Sequence, residues 1–282
     1  MSQPSFTILI VTYNSGSEIS NLLNDLLLYV PGGKTIVIDN ASKDETVGLV
    51  QEHFPYVQLI RNSTNLGYAK AVNQGFSFCD TEYVLLLNPD IRINSPQLFS
   101  EMERCLKHSR KIAVAAPLQF KENDGIRQLN FTWSYMTPHT FQLYLSYFLK
   151  RKRSMTDPMQ VTFLNAGCLL IRRTAFEQAG RLNEKYFLYG EEPDLFLKFR
   201  RHGFECYLLP GVGVIHYREC SLMTRPVSQR LQIRFRAAWN IADALIHGWA
   251  NILLDQMALK TIPFVTRKRQ TTYKRRLPSN PG

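Results

Sequence analysis

The chain has no run of 18 apolar residues, no Cys-x-x-Cys pair and no glycine-rich phosphate loop, and each absence removes a class of protein. Without a long apolar run, no membrane-spanning helix is expected. The five cysteines, Cys79, Cys105, Cys168, Cys206 and Cys220, are odd in number and irregular in spacing. They suit reduced thiols in a cytoplasmic protein better than a disulfide framework. The opening Met1-Ser2-Gln3-Pro4-Ser5 has no basic stretch and leads straight into a strand pattern, so it does not read as a signal peptide. After the first strand stands Tyr13-Asn14-Ser15-Gly16-Ser17 in place of G-x-G-x-x-G, which argues against a nicotinamide or flavin cofactor. No G-x-x-x-x-G-K-[ST] occurs either, which argues against a P-loop NTPase.

Acidic residues are scarce in one region only. Residues 223–282 hold 11 Lys/Arg against two acids, Asp243 and Asp255, whereas residues 1–222 hold 23 against 21. The net charge of +11 therefore belongs mainly to the C-terminal segment. Basic tails of this kind attract nucleic acid or anionic lipid. Glycine and proline are also few, and 45% of the 282 residues are apolar, so the remainder is expected to form a packed globular core.

What is present alternates between strand and helix patterns. Phe6–Val11 reads as a buried strand, Glu18–Val30 as a helix with Ile19, Leu22, Leu23, Leu26 and Leu27 at helical spacing, and Thr35–Ile38 as a second strand. Ser42 and Glu45 form a capping-box pattern for the next helix. Val57–Ile60, a helix from Tyr68 to about Phe78, and the apolar run Tyr83–Leu87 follow. Residues 94–112 read as a helix leading to a strand over Ile112–Ala116 that Pro117 stops, and Phe163–Ile171 reads as another strand. Units of this kind predict a doubly wound, mostly parallel sheet. Such sheets bind ligands outside the carboxyl ends of their strands. Here those ends carry Tyr13/Asn14, Asp39/Asn40, Asn65/Gly67 and Asn88/Asp90. Each alone is ordinary turn chemistry; four on one edge read as a site.

Taken in order, Val11-Thr12-Tyr13-Asn14, Val37-Ile38-Asp39-Asn40-Ala41-Ser42-Lys43-Asp44, Asn65-Leu66-Gly67 with Asn73-Gln74-Gly75, and Leu85-Leu86-Leu87-Asn88-Pro89-Asp90 resemble the successive motifs of family-2 inverting glycosyltransferases. The resemblance is to the bacterial rhamnosyltransferase-like branch and spans residues 6 to about 218. It implies a GT-A-like fold, with Tyr13 packing on the nucleotide base and Asp39 accepting from the pyrimidine N3–H. Lys70 takes a place where many relatives carry arginine, and lysine offers charge without a bidentate fork. Asn65, Gly67 and Asn88 complete the expected nucleotide-binding set.

In the second half, Tyr186-Phe187-Leu188-Tyr189-Gly190-Glu191-Glu192-Pro193-Asp194 precedes a helical stretch from Leu195 to His202. Proline suits a first helical turn, so Glu191 and Glu192 are expected ahead of the helix and Asp194 within it. Acids there gain from the helix dipole, yet crowded carboxylates also repel, and one with a raised pKa would suit a general base. The resemblance implies that Glu192 is that base, where relatives carry aspartate in a Glu-Asp-x-Asp pattern, with Glu191 and Asp194 beside it. It also implies a divalent Mg²⁺ or Mn²⁺ held by Asp90 and His216, which ends the strand Val212–His216. Mixed carboxylate, imidazole and phosphate shells suit these ions. Asn88 stands where many relatives have the first acid of Asp-x-Asp.

The expected organisation is a transferase domain over 1–222, with a nucleotide half at 1–117 and an acceptor and catalytic half at 118–222, then a basic amphipathic helical tail over 223–282. Residues 120–160, with Lys150-Arg151-Lys152-Arg153, read as a variable segment over the acceptor side. Arg234–Leu259 mixes tryptophan and aliphatic residues with few acids, then Arg267-Lys268-Arg269 and Lys274-Arg275-Arg276 follow. That pattern suits a helix on an anionic membrane surface, while a helix packed on the core fits it too; no nucleic-acid motif accompanies the charge. The resemblance implies transfer of a sugar from a nucleotide donor, dTDP-rhamnose or a UDP-hexose, to a saccharide or lipid-linked saccharide at the cytoplasmic membrane face. A nucleotide-sugar-binding protein that has lost turnover is the alternative.

Overall fold

A computed structural model of the chain describes residues 4–123, 126–129, 157–164 and 166–217, and in the C-terminal segment 232, 235–236, 238–248 and 250. The elements are β1 (Phe6–Thr12), α1 (Gly16–Tyr29), β2 (Thr35–Asp39), α2 (Thr46–His53), β3 (Gln58–Arg61), α3 (Tyr68–Phe76), β4 (Tyr83–Leu87) and β5 (Ile91–Arg92). Then come α4 (Leu98–His108), β6 (Ile112–Asn123), β7 (Ile126–Leu129), β8 (Met159–Val161), β9 (Cys168–Arg172), α5 (Arg173–Gln178), α6 (Glu191–Arg201) and β10 (Glu205–His216). Residues 238–248 are also helical. The segment expected over the acceptor side lies outside the described residues from 130 to 156.

One sheet runs in the order β3-β2-β1-β4-β9-β6-β10-β5, with β7 beside β6 and β8 beside β10. The first four strands are parallel, β6 and β10 run with them, and β9 is inserted antiparallel to both β4 and β6. The mostly parallel α/β sheet is therefore present, with one reversed strand joining its halves. Side chains along β1 serve both faces in turn, as a strand's period of two requires. Leu9 and Val11 join Ile36, Ile38, Val84 and Leu86 beneath α3, α5 and α6, where Phe76 and Phe176 stack with ring centroids 3.8 Å apart. Ile8 and Ile10 join Val37, Leu85 and Leu87 beneath α1, α2 and α4. Burial on both faces explains why these strands read as continuous apolar runs.

Several boundaries differ from expectation. β6 continues through Pro117 to Asn123, because its partner β10 shifts register there: Leu209 pairs with Pro117 and Gly213 with Leu118. The intervening bulge on β10 falls where a proline cannot donate to the ladder. α4 starts at Leu98 rather than 94, since the residue before Pro96 is disfavoured in helical geometry. β9 begins at Cys168, leaving Phe163 and Leu164 buried outside it. The capping box at Ser42 and Glu45 does not form. α2 begins at Thr46, and Asp44 Oδ1 accepts from the Thr46 N–H at 3.1 Å, while the Ser42 hydroxyl accepts from the Asn14 N–H at 2.9 Å. Cys79, Cys105, Cys168 and Cys206 are buried free thiols, and burial pushes each upward in pKa, Cys79 and Cys206 to about 12 and Cys105 to about 11.

The inserted strand is pinned at its end by buried Arg172. Its guanidinium donates to Ile112 O (3.1 Å), Leu106 O (2.6 Å) and Ser109 O (3.3 Å), pairs with Glu82 (2.8 Å), and lies 5.1 Å over the Tyr83 ring. Arg172→Met would leave those carbonyls without donors, each a loss of order 1–3 kcal/mol. We expect it to lower unfolding free energy by about 3 kcal/mol, read as a reduced urea midpoint.

Candidate active site

The carboxyl ends of β1, β2 and β4 leave three kinds of polar group at one edge. Asp39, which ends β2, is only 2% exposed. One carboxylate oxygen, Oδ2, accepts from the Ser42 N–H at 3.1 Å, while buried Oδ1 has no hydrogen-bond partner. Thr12, opposite it in the β1–β2 register, also keeps a buried hydroxyl oxygen without a partner. Buried oxygens are normally paired, so this corner is an acceptor awaiting a donor. Thr12 was not foreseen, being one polar residue at the end of an apolar run. Tyr13 is half-buried beside this corner in sequence, and Lys70 is exposed on α3.

The turn before α3 is built by carboxamides. Asn40 donates to Asn65 Oδ1 (2.9 Å) and Gly67 O (3.3 Å), and its own oxygen accepts from the Leu66 N–H (3.0 Å) and Asn62 (3.2 Å). Asn65 Oδ1 also accepts from the Gly67 N–H at 2.9 Å. Asn65 thus gives its carbonyl oxygen to the turn, leaving only its amide nitrogen for a ligand. Gly67 has φ +86°, and a Cβ there would fall 2.7 Å from the Phe187 carbonyl oxygen. What presses on Gly67 is the loop leading to Glu191, tied on by the Tyr68 N–H donating to that same oxygen at 2.8 Å.

Asn73 secures the start of that loop. Its Nδ2 donates to Leu182 O and to Glu184 Oε1, each at 3.0 Å, and its Oδ1 accepts from the Leu182 N–H at 3.1 Å. The loop ends at Gly190, in the left-handed region with φ +97°, which caps α6. Glu191, Glu192 and Asp194 all lie inside the first turn of α6, so the expectation that the two glutamates precede the helix is corrected. Pro193 is accommodated because early helical positions have no intrahelical acceptor for their N–H. Asp194 is turned to Lys198 one turn on, with Nζ and Oδ2 2.8 Å apart in an ion contact that is not an aligned hydrogen bond. Glu191 is buried with Oε2 unpartnered; burial, then the neighbouring Glu192 charge, raises its pKa well above the ordinary 4.5. Glu192 is half-buried.

Tyr68, at the first turn of α3, joins these carboxylates to the β4 edge. Its hydroxyl donates to Asn88 Oδ1 at 3.3 Å. Enclosure of that hydroxyl, then the charges of Glu192, Glu191 and Asp90, raise its pKa well above 10.0, so it stays a donor. Sequence reasoning passed over Tyr68, because nothing local distinguishes it from a core aromatic. Asp90 and His216 meet as expected: Asp90 Oδ1 lies 3.2 Å from His216 Nε2. His216 Nδ1 is 2.8 Å from Gln119 Oε1, and the assigned amide orientation places the ring proton on Nδ1. A carboxylate oxygen and an imidazole nitrogen thus face each other at 3.2 Å, close enough to share one cation. The donor set fits a divalent ion that has oxygen and imidazole ligands. It supplies two ligands, and among the described residues no group of three or more His, Cys, Asp or Glu is placed to hold a metal ion.

With this arrangement in view, the comparisons with known proteins are specific. The profile described as "Glycosyl transferase family 2" matches residues 7–180. The chain belongs to that family. Among family relatives, the N-acetylglucosaminyl-diphospho-decaprenol L-rhamnosyltransferase of Mycobacterium tuberculosis is 26% identical over 244 residues, covering 78% of each chain. The rhamnosyltransferase WbbL of Escherichia coli is 23% identical over 224 residues, 74% of this chain and 82% of that one. The fold is that of GalNAc-T7 crystallised with UDP, GalNAc and Mn²⁺ (TM-score 0.60, 17% identity, 76% of this chain and 44% of that one). It is also that of the mannosyltransferase PcManGT from Pyrobaculum calidifontis with GDP-Man and Mn²⁺ (TM-score 0.58, 14% identity, 93% and 82%). This family 2 transferase accordingly has a GT-A-like α/β fold.

Glu191 sets a pH dependence. Its folded-state pKa is raised, so the unfolded chain releases that proton at lower pH than the folded one does. Its contribution to stability is present below about pH 4.5 and is lost as pH rises through the folded value. Glu191→Gln removes this loss. The melting temperature of the variant is therefore expected to gain on wild type as pH rises from 5 to 8, measured by scanning calorimetry; a constant difference would contradict a protonated Glu191.

Proposed function

We propose that this family 2 protein is an inverting, metal-dependent glycosyltransferase. It moves a sugar from a nucleotide donor to a saccharide or lipid-linked saccharide in cell-surface polysaccharide synthesis. The observation that carries the reading is the meeting, around the Tyr68 hydroxyl, of the α6 glutamates with the Asn88–Asp90 strand end. The donor in this reading is dTDP-rhamnose. Two relatives named rhamnosyltransferases support it, and Asp39 Oδ1 is a buried acceptor suited to the N3–H of thymine or uracil. A UDP-hexose satisfies the same acceptor and is the rival donor.

In this mechanism Tyr13 covers the base, Asp39 accepts from its N3–H, and Lys70 and the free amide of Asn65 reach toward the nucleotide. Asp90 and His216 would hold Mg²⁺ or Mn²⁺ beside the diphosphate. When bound, the ion neutralises charge that develops on the departing diphosphate. Glu192, half-buried and reachable, takes the proton of an acceptor hydroxyl. The hydroxyl oxygen bonds to the anomeric carbon as the carbon–oxygen bond to the diphosphate breaks on the opposite face. The electron pair leaves with the nucleoside diphosphate and the configuration inverts. Burial disfavours the charged form of Glu191 beside the base, and Tyr68 and Asn88 hold the β4 edge against it. The protein works at the cytoplasmic face of the membrane, with its basic C-terminal segment toward anionic lipid.

Four outcomes test this. A thermal-shift panel of dTDP, UDP, GDP and CDP, each with and without Mn²⁺, should show a metal-dependent rise with dTDP or UDP; a rise with GDP alone would overturn the pyrimidine assignment. Asp39→Ala should weaken that nucleotide by about 10–100-fold. Glu192→Gln should lower kcat by about 10²–10⁴-fold with nucleotide binding unchanged, whereas near-normal transfer would remove Glu192 as base and Asp90→Asn should erase the Mn²⁺ dependence.

A further inference from the structure

The helix over 238–248 has two unlike faces. Its inner face rests on the loop that leads into Glu191. Asn240 Nδ2 donates to Leu188 O at 3.1 Å, and Asp243 Oδ2 accepts from Lys185 Nζ and from the Tyr186 hydroxyl, each at 2.8 Å. A Cβ on Gly190 would fall 2.9 Å from Asn240, and one on Gly248 only 2.2 Å from Leu197 of α6. Ala244 is fully buried and Leu245 packs on the core. Asn240, Ala244 and Gly248 recur every fourth residue and so share one side.

The opposite side is apolar and uncovered. Phe235, Trp239 and Ile246 are 78%, 70% and 67% exposed. With Ala242 they stand at spacings of four, three and four, a single stripe of an amphipathic helix that faces solvent. Phe187 and Leu188, in the loop that the helix holds, are exposed as well. The charge of this segment names the partner. Residues 223–282 carry 11 Lys/Arg and two acids, and one of those acids, Asp243, is engaged inward. An apolar stripe flanked by nearly unopposed positive charge is complementary to an anionic lipid surface.

We propose that this helix is a lipid-sensing brace: its outer stripe lies on an anionic bilayer while its inner face holds the 185–190 loop, so that lipid binding and ordering of the catalytic turn form one coupled equilibrium. The inference rests on the reading of Glu191 and Glu192 as the catalytic turn. A helix of this length is marginal by itself in water, so its folding depends on what it packs against. A surface that binds only the docked helix stabilises the docked state by mass action, and with it the loop.

The test uses the full chain and needs neither donor nor acceptor. Co-sedimentation is measured with phosphatidylglycerol–phosphatidylcholine vesicles and with pure phosphatidylcholine, and amide hydrogen exchange of residues 184–190 is followed in each. The protein should sediment with the anionic vesicles only, and exchange in the loop should slow several-fold there. The double variant Trp239→Ser, Ile246→Ser, altered only at exposed positions, should lose at least tenfold in vesicle affinity. Asp243→Ala should still bind vesicles but show no slowing in the loop. Vesicle binding without a change in loop exchange would overturn the coupling. No binding to anionic vesicles, or a stripe variant that alters only self-association, would overturn the lipid partner. A protein that fails the sugar-transfer assay still gives an answer here, so the two failures are distinguishable.

Discussion

The carboxamide of Asn73 is the contact on which the site depends. From one buried side chain on α3 it donates to Leu182 O and Glu184 and accepts from the Leu182 N–H, so the loop cannot slide along α3 without losing all three bonds. Its loss would leave buried polar groups unpaired on both partners, which is why such an anchor fixes position as well as adding energy. Everything toward Glu191 is then laid down in sequence: Phe187 O on the Tyr68 N–H, Gly67 flattened beneath it, and Gly190 turning the chain into α6. The strand-end chemistry of the first half and the acids of the second meet because one helix carries both Tyr68 and Asn73.

The electrostatics of the edge follow from that meeting. Asp90, Glu191 and Glu192 bring three carboxyl groups around the Tyr68 hydroxyl, an arrangement unfavourable to the anionic donor of the proposed mechanism unless charge is offset. Burial and the neighbouring Glu192 charge raise the pKa of Glu191 well above its ordinary value, which lessens that charge, and Asp194 is directed to Lys198. In the proposed mechanism the remaining relief would come from a cation held between Asp90 and His216, which stand 3.2 Å apart.

Sequence showed the β1, β2 and β4 strands plainly, because strands buried on both faces become unbroken apolar runs. It also marked Asp39, Asp90, His216 and the three acids of α6, whose positions at element ends are local properties. It misplaced what depends on distant partners. Pro117 reads as a stop until the bulge of β10 is seen opposite it, and Ser42 reads as a cap although Asp44 does that work. Gly67 and Asn65, read as nucleotide contacts, have structural partners too: Gly67 packs under the loop and the carbonyl of Asn65 closes its own turn. Tyr68 and Asp243 give no signal, and Asn73 shows only as part of a motif and not as an anchor, since their partners lie 20, 57 and 109 residues away along the chain.

The sheet's two ends have a consequence for assembly. At one edge stands β3, four residues long, with Gln58 and Arg61 exposed and Leu59 and Ile60 half-buried. At the other, among the described residues, β10 is covered by the three residues of β8 and the two of β5. Short, polar borders offer too few free backbone groups in line to template another strand. A sheet of ten strands therefore stops growing where the chain stops it, and crowding these molecules together does not invite them to continue one another's sheets.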